Sequence, residues 1–283
     1  YPTIITAHSV HGQETKYRSR FVERVRIAAH EHVMYSHFKD HARHLICISP
    51  YIQEHYSGLL NAAMYSIENP IEDGFFALDP ERRVQGRVLF AGLLIRRKRP
   101  DLLIESASLV RPRVPHLTVH IAGGAADGRL VARLTQAVNL GGLEQNVAFL
   151  GHLSEKALLQ EYQAASVLVL TSDQETSPMV IQQAMAAGKP VISTRVGGIA
   201  DLVDHGHNGY LVDRGDAHGI AGYLQEILLD PERARRMGLR ARQTALSRFR
   251  ASSVAGRMID VYQTVTAGSP ARHLVSGGVG VSD

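Results

Sequence analysis

Apolar positions along this chain follow two spacings that alternate for most of its length. Short β-branched runs read as buried strands, and stretches with apolar residues three and four apart read as helices. From Val84 onward the alternation is regular. Strands are expected at about 86–91, 117–122, 146–150 and 166–171, with helices at about 100–110, 128–140 and 154–164 between them. After Leu170 comes a polar loop, then a helix of about ten residues and a strand at Val191–Thr194. Ser177 reads as that helix's N-cap and Pro178 as its first residue, while Gly188 and Pro190 end it. Gly206–Val212 is a turn and a short strand, and helices follow at about 216–229, 231–247 and 252–266. Asp216 and the Asp230-Pro231 pair suit helix starts. Strands alternating with helices demand a parallel sheet covered on both faces.

The first part is less regular. Tyr1–Ala7 reads as a strand, residues about 15–38 as a helix, His44–Ser49 as a second strand and about 50–62 as a second helix. Pro, Gly and Asn gather in Ser66–Asp79, which marks a connection between units.

Composition narrows the function class. The chain of 283 residues has room for about two domains of roughly 150 residues each. A net charge of +4 with 6% aromatics and scattered basic residues argues against nucleic acid as a partner. The single cysteine, Cys47, excludes an intrachain disulfide and a cysteine-based zinc site. It lies in the apolar run Leu-Ile-Cys-Ile, which suits a buried thiol. Fifteen histidines show no metal-binding spacing on a helix, so no metal site is expected. No apolar stretch reaches the roughly 18 residues that span a bilayer, and no signal peptide is visible. Opening directly on a strand, the chain reads as the later part of a longer protein.

Ligands of parallel sheets gather beyond the carboxyl ends of the strands. Four loops lie there: Gly92–Arg99, Ala122–Gly124, Thr171–Ser177 and Thr194–Gly198. The third holds one carboxylate, Glu175, just before a helix N-terminus. Free N–H groups and a positive dipole at that end suit a phosphate, and the carboxylate suits hydroxyls. A sugar attached to a diphosphate satisfies both.

Several motifs together resemble family 4 glycosyltransferases. They are Phe90-Ala-Gly92 with Lys98, Ile121-Ala-Gly-Gly124, Phe149-Leu-Gly151, the Glu175 loop with Ala184-Met-Ala-Ala-Gly-Lys-Pro190, and Val196-Gly-Gly-Ile-Ala-Asp201. The resemblance implies an α/β fold of the GT-B type, two Rossmann-like parallel-sheet domains, the first incomplete in this chain. Residues 1–75 would be the later part of the acceptor-side domain and 76–252 the donor-binding domain. Residues 253–266 would form a helix crossing back to the first domain, and 267–283 a disordered tail.

It further implies transfer of a sugar from a nucleotide-diphosphate donor to an acceptor hydroxyl, with retention of configuration and without metal or cofactor. Catalytic positions fall on His8, Lys98 and Glu175. Donor-binding positions fall on Gly92, Gly124, Gly151, Ser177, Met179, Val180 and Gln183. The family places a second glutamate where this chain has Gln183, and an arginine where it has Leu93. Arg96, Arg97 and Arg99 are candidates to replace that arginine, and His11 is a rival to His8. Expected partners are a nucleotide sugar and a carbohydrate, lipid-linked or small-molecule acceptor, but no nucleic acid. The expected location is cytoplasmic, with a peripheral contact at the membrane's cytoplasmic face left open. The two departures keep a second reading alive, a GT-B binding or scaffold module that has lost efficient transfer.

Overall fold

The structure, a computed structural model, describes residues 3–10, 41–125 and 127–267. It divides into two compact units, Tyr1–Asn69 with Ser252–Asp283, and Pro70–Ala251. Each is taken by itself. The expected helix at about 15–38, His11, and the tail beyond Ala267 lie outside the described residues.

Among the described residues, the first unit is built on three parallel strands in the order β1 (Ile4–Ala7), β2 (His44–Cys47) and β3 (Ala63–Ser66). Alternation along β2 assigns its two faces. Leu45 and Cys47 join one apolar cluster with Ile52 and Tyr56 of α1 (Pro50–Ser57). Ile46 joins the other, with Tyr65 and with Val254, Val261 and Val265 of the C-terminal helix (Ala251–Thr266). Both faces of the described strands are thereby covered. Burial pushes the Cys47 thiol up to about 12, which makes it a packing group and no nucleophile. The sequence pattern gives no sign of β3: Ala-Met-Tyr-Ser has no β-branched residue, and pairing with β2 supplies what propensity lacks.

The second unit opens with a single turn, α2 (Asp73–Phe76), inside the stretch that reads as a connection. Its sheet has six parallel strands among the described residues, in the order β6-β5-β4-β7-β8-β9. These are β4 (Arg87–Ala91), β5 (Thr118–Ala122), β6 (Val147–Gly151), β7 (Val167–Leu170), β8 (Val191–Thr194) and β9 (Gly209–Val212). All four residues of β7 are buried, as a strand covered on both faces requires. The intervening helices are α3 (Pro100–Val110), α4 (Gly128–Leu140), α5 (Glu155–Ala164), α6 (Met179–Ala186), α7 (Ala217–Leu229) and α8 (Pro231–Arg248). Asp216 and Asp230 cap α7 and α8, accepting from the N–H groups of Gly219 and Arg233.

Two expectations at α6 need correction. The helix begins at Met179, Pro178 occupies the cap position, and no side chain caps it. The Ser177 hydroxyl is instead occupied by the buried Gln182 amide, which donates to it at 2.8 Å. The helix therefore has eight residues instead of about ten. Gly188 ends it as expected, with φ at +69°.

Strand order reverses direction between β4 and β7. The chain winds from β4 outward to β6, then returns to β7 beside β4 and winds the other way. The loops after β4 and β7 therefore lie side by side at the switch point, where a crevice forms at the strand ends.

Candidate functional site

That crevice is where Lys98 and Glu175 meet. After β4 the chain turns at Gly92, with φ at +141°, and passes through a short 3-10 turn (Arg96–Lys98) into α3. After β7 it runs through Thr171–Ser177 into α6. The two loops are sewn together by hydrogen bonds to the backbone of the first. The Asp173 N–H donates to the Arg97 carbonyl at 2.7 Å, and the Thr171 hydroxyl reaches the Lys98 and Arg99 carbonyls at 3.0 and 2.7 Å.

Glu175 is at the centre of this junction and is only 6% exposed. Its Oε1 lies 2.6 Å from the Lys98 Nζ and accepts from the Ser172 hydroxyl, also at 2.6 Å. Arg97 approaches Oε2 at 3.7 Å and donates to the Gln174 carbonyl. A carboxylate this buried is costly to leave unpaired, and here two cations and a hydroxyl compensate it. Behind it, the Thr194 hydroxyl donates to the Ser172 carbonyl at 2.6 Å, and the Gly198 N–H to the Glu175 carbonyl at 3.2 Å. Gly197, with φ at +49°, packs so closely on that carbonyl that a Cβ would collide with it. Loop 194–198 thus sets the position of the Glu175 backbone.

Among the expected donor-binding residues, Gly92 lies against Lys98, where an added Cβ would come 3.8 Å from the Nζ. Gly124 accepts from the Leu94 N–H at 2.9 Å, and Gly151 accepts from the Gly123 N–H at 2.7 Å, so both act through backbone. The N–H groups of Met179 and Val180 open α6 and have no intrahelical acceptor. Gln183, one turn further on, has its Oε1 held by the Tyr162 hydroxyl at 3.1 Å. Tyr162 is fully buried, and burial raises its phenol well above the usual range. His8 follows β1 in the first unit, where it is exposed.

The basic turn answers part of the question raised by Leu93. That side chain is 59% exposed and brings no charge. Arg97 is the arginine drawn to Glu175. Arg99 is spent on Asp101 at 3.0 Å and Asp173 at 3.5 Å, and Arg96 is exposed without an ion-pair partner among the described residues. Ser172 and Tyr162 were not singled out by sequence reasoning. A signal for Ser172 exists, since it lies three residues before Glu175 on one turn; for Tyr162 there is none. Among the described residues no three His, Cys, Asp or Glu side chains are grouped as a metal site needs, and no helix is long and apolar enough to cross a membrane.

Comparison with known proteins fits this geometry. Residues 80–244 match the family described as glycosyl transferases group 1, and the chain belongs to that family. It is 35% identical over 139 residues to the N-acetyl-alpha-D-glucosaminyl L-malate synthase of Bacillus anthracis, covering 49% of this chain and 36% of the relative. It is 31% identical over 180 residues to the D-inositol 3-phosphate glycosyltransferase of Corynebacterium urealyticum, covering 62% and 42%. The chain thus spans less than half the length of these relatives. Anabaena HepE, solved with UDP and glucose, superposes with a TM-score of 0.77 at 22% identity, covering 93% of this chain and 72% of that one. Sucrose-phosphate synthase from Thermosynechococcus elongatus gives 0.71 at 26% identity, covering 94% and 68%. The architecture is that of GT-B glycosyltransferases.

Proposed function

We propose that this chain carries the donor site of a glycosyltransferase that moves a sugar from a nucleotide diphosphate to an acceptor hydroxyl with retention of configuration. The observation that carries the reading is the 2.6 Å pair of Lys98 and Glu175 at the mouth of α6. In it a cation for phosphate and a carboxylate for hydroxyls are held together, each neutralising the other until substrate separates them. The diphosphate lies against the N–H groups of Met179 and Val180 and takes the Lys98 ammonium. Glu175, released, accepts from the sugar hydroxyls and stays oriented by Ser172.

The bond from the anomeric carbon to the diphosphate oxygen breaks, and both bonding electrons leave with the diphosphate. The acceptor oxygen bonds to the same face of the oxocarbenium-like sugar, and its proton passes to the departing diphosphate. No protein nucleophile is needed. Lys98, Arg97 and the helix end supply the positive charge that stabilises the leaving group, and metal-independent transfer is part of the proposal. His8 is assigned to orient the incoming hydroxyl or the sugar, on the family likeness alone. HepE has been solved with UDP and glucose, so UDP is the first nucleotide to test.

The decisive experiment is a nucleotide-release screen of donor sugars with the full-length protein, with and without EDTA. Release from one donor that depends on both Glu175 and Lys98 supports the reading; release unaffected by alanine at both positions rejects it. A second reading, a binding module without efficient transfer, draws on the exposed Leu93 and on Gln183. Calorimetry separates the two, because failure to bind UDP, GDP or ADP favours the module.

A further inference from the structure

On the same strand rim, two strands from Glu175, a groove of about 330 Å³ runs between the end of β9 and α7. That volume is at the small end of ligand-sized clefts, which run from about 300 to 1,000 Å³. Loop 194–198 borders both places. Its Gly197 backbone abuts the Glu175 carbonyl, and its Arg195 lines the groove.

The groove wall has a particular chemistry. Arg195 and Asp213 line it and are exposed, and among the described residues neither side chain has a partner. Glu226 is held from one side only: its Oε2 accepts from the Tyr210 hydroxyl at 2.9 Å and from Arg233 at 2.7 Å, which leaves Oε1 without a protein donor. Tyr223 stacks on Tyr210 with ring centroids 4.1 Å apart, and His205 meets both rings edge-on. Gly222 leaves the helix surface bare between these side chains, so that a ligand can approach the backbone there, whereas the surface at Gly219 is covered by the capping Asp216 carboxylate.

Several occupants are disfavoured by the same features. A phosphate would meet Asp213, Asp216 and Glu226 against one guanidinium. An added β-strand is blocked, because the outer edge of β9 is already covered. The Gly206 N–H donates to the Gly209 carbonyl at 2.8 Å, and the Leu211 N–H donates to His205 Nδ1 at 3.1 Å. What remains is a ligand whose groups both donate and accept and which also has an apolar face. Hydroxyls donating to carboxylates and accepting from a guanidinium, with C–H groups against an aromatic ring, describe a sugar ring.

We propose that this groove is a second binding site, distinct from the donor site, that holds one unit of a neutral carbohydrate. The test is saturation-transfer NMR on the full-length protein with neutral hexoses and short oligosaccharides, in the presence of saturating UDP. Binding of at least one such sugar is expected. Asp213→Asn and Tyr223→Ala should each weaken it about tenfold or more, whereas Tyr223→Phe should retain it. UDP affinity, measured separately by calorimetry, should be equal in all variants. Because Asp213→Asn removes charge without volume, its loss of binding would not reflect misfolding, and matched melting curves check this. Sugar affinity unchanged in Asp213→Asn and Tyr223→Ala overturns the proposal. So does the lack of any neutral-sugar signal, or binding of a cationic probe such as spermidine alone. Failure to bind UDP, GDP or ADP would count against the donor-site reading instead, since the losses in Asp213→Asn and Tyr223→Ala locate sugar binding in the groove whether or not a nucleotide is bound.

Discussion

Two lysines of the second unit, Lys98 and Lys189, are both largely withdrawn from water, yet they are solvated in opposite ways. Lys98 meets a carboxylate, Glu175, at 2.6 Å in a crevice between two loops. Lys189 is 1% exposed and meets only backbone: the carbonyls of Arg82 at 2.8 Å, Gln163 at 3.0 Å and Pro80 at 3.5 Å. Carbonyls of the main chain cannot swing away, whereas a carboxylate side chain can exchange its cation for a ligand. The first arrangement is suited to binding and release, and the second is a fastening. Arg242 repeats the second pattern, donating to the carbonyls of Phe76, Leu78 and Ala186. Together they pin the segment from Phe76 to Arg82 onto the ends of α5 and α6.

The comparison is broken most directly by removing each charge in turn. Lys98→Met and Glu175→Ala should each reduce donor turnover by about 10²–10³-fold, the usual effect of losing one preorganised charge-stabilising group. Steady-state nucleotide release measures this. Melting should change little in Lys98→Met, because Arg97 remains near the carboxylate. Lys189→Met should behave in reverse. It leaves buried carbonyls without their donor and should cost about 2–3 kcal/mol in urea unfolding, with turnover per folded molecule retained. Equal stability losses in the two variants would end the distinction drawn between them.

A smaller effect is expected from pH. Burial lowers the Lys189 ammonium to about 8 from 10.5, so between these values the folded state holds fewer protons than the unfolded chain. Stability therefore rises with pH through that window, and the full cost of the buried charge is present below it. The carbonyl contacts favour the charged form and reduce the rise to about 1–2 kcal/mol. Cys47 acts oppositely, because its thiol, raised from 9.0 to about 12, keeps its proton in the folded state above pH 9. Denaturation of the parent and of Lys189→Met at pH 8 and 10 isolates the lysine as the difference between them. The smallest expected change is Leu93→Arg, which should speed nucleotide release by about tenfold or less if a cation there joins Lys98. No change would mean that Arg97 already fills that role.

Helix and strand positions in the second unit were largely legible because each element carries its own punctuation. Pro100 and Val110 bound α3, and Gly128 and Leu140 bound α4, as the apolar spacing and flanking residues indicate. The start of α6 was misread for a physical reason. Ser177 has the chemistry of an N-cap, but a buried glutamine five residues later claims its hydroxyl. Likewise β3 exists only because β2 lies beside it. The candidate site shows the same division. Glu175 and Lys98 could be picked from motifs, whereas Ser172 needed the turn to be closed, and Tyr162 needed α5 to pack under α6.

The sequence by itself determined the alternating α/β pattern, the four strand-end loops and the family likeness, because periodicity and Gly–Pro punctuation are local properties of a chain. Only the tertiary structure decided that Lys98 and Glu175 form a pair, that Arg97 and not Arg99 turns toward it, and that Lys189 is caged by carbonyls. Those outcomes depend on which strand lies beside which. The order β4-β7 places loops 77 residues apart in sequence, from Lys98 to Glu175, on one crevice, and no local rule of composition or spacing specifies that adjacency.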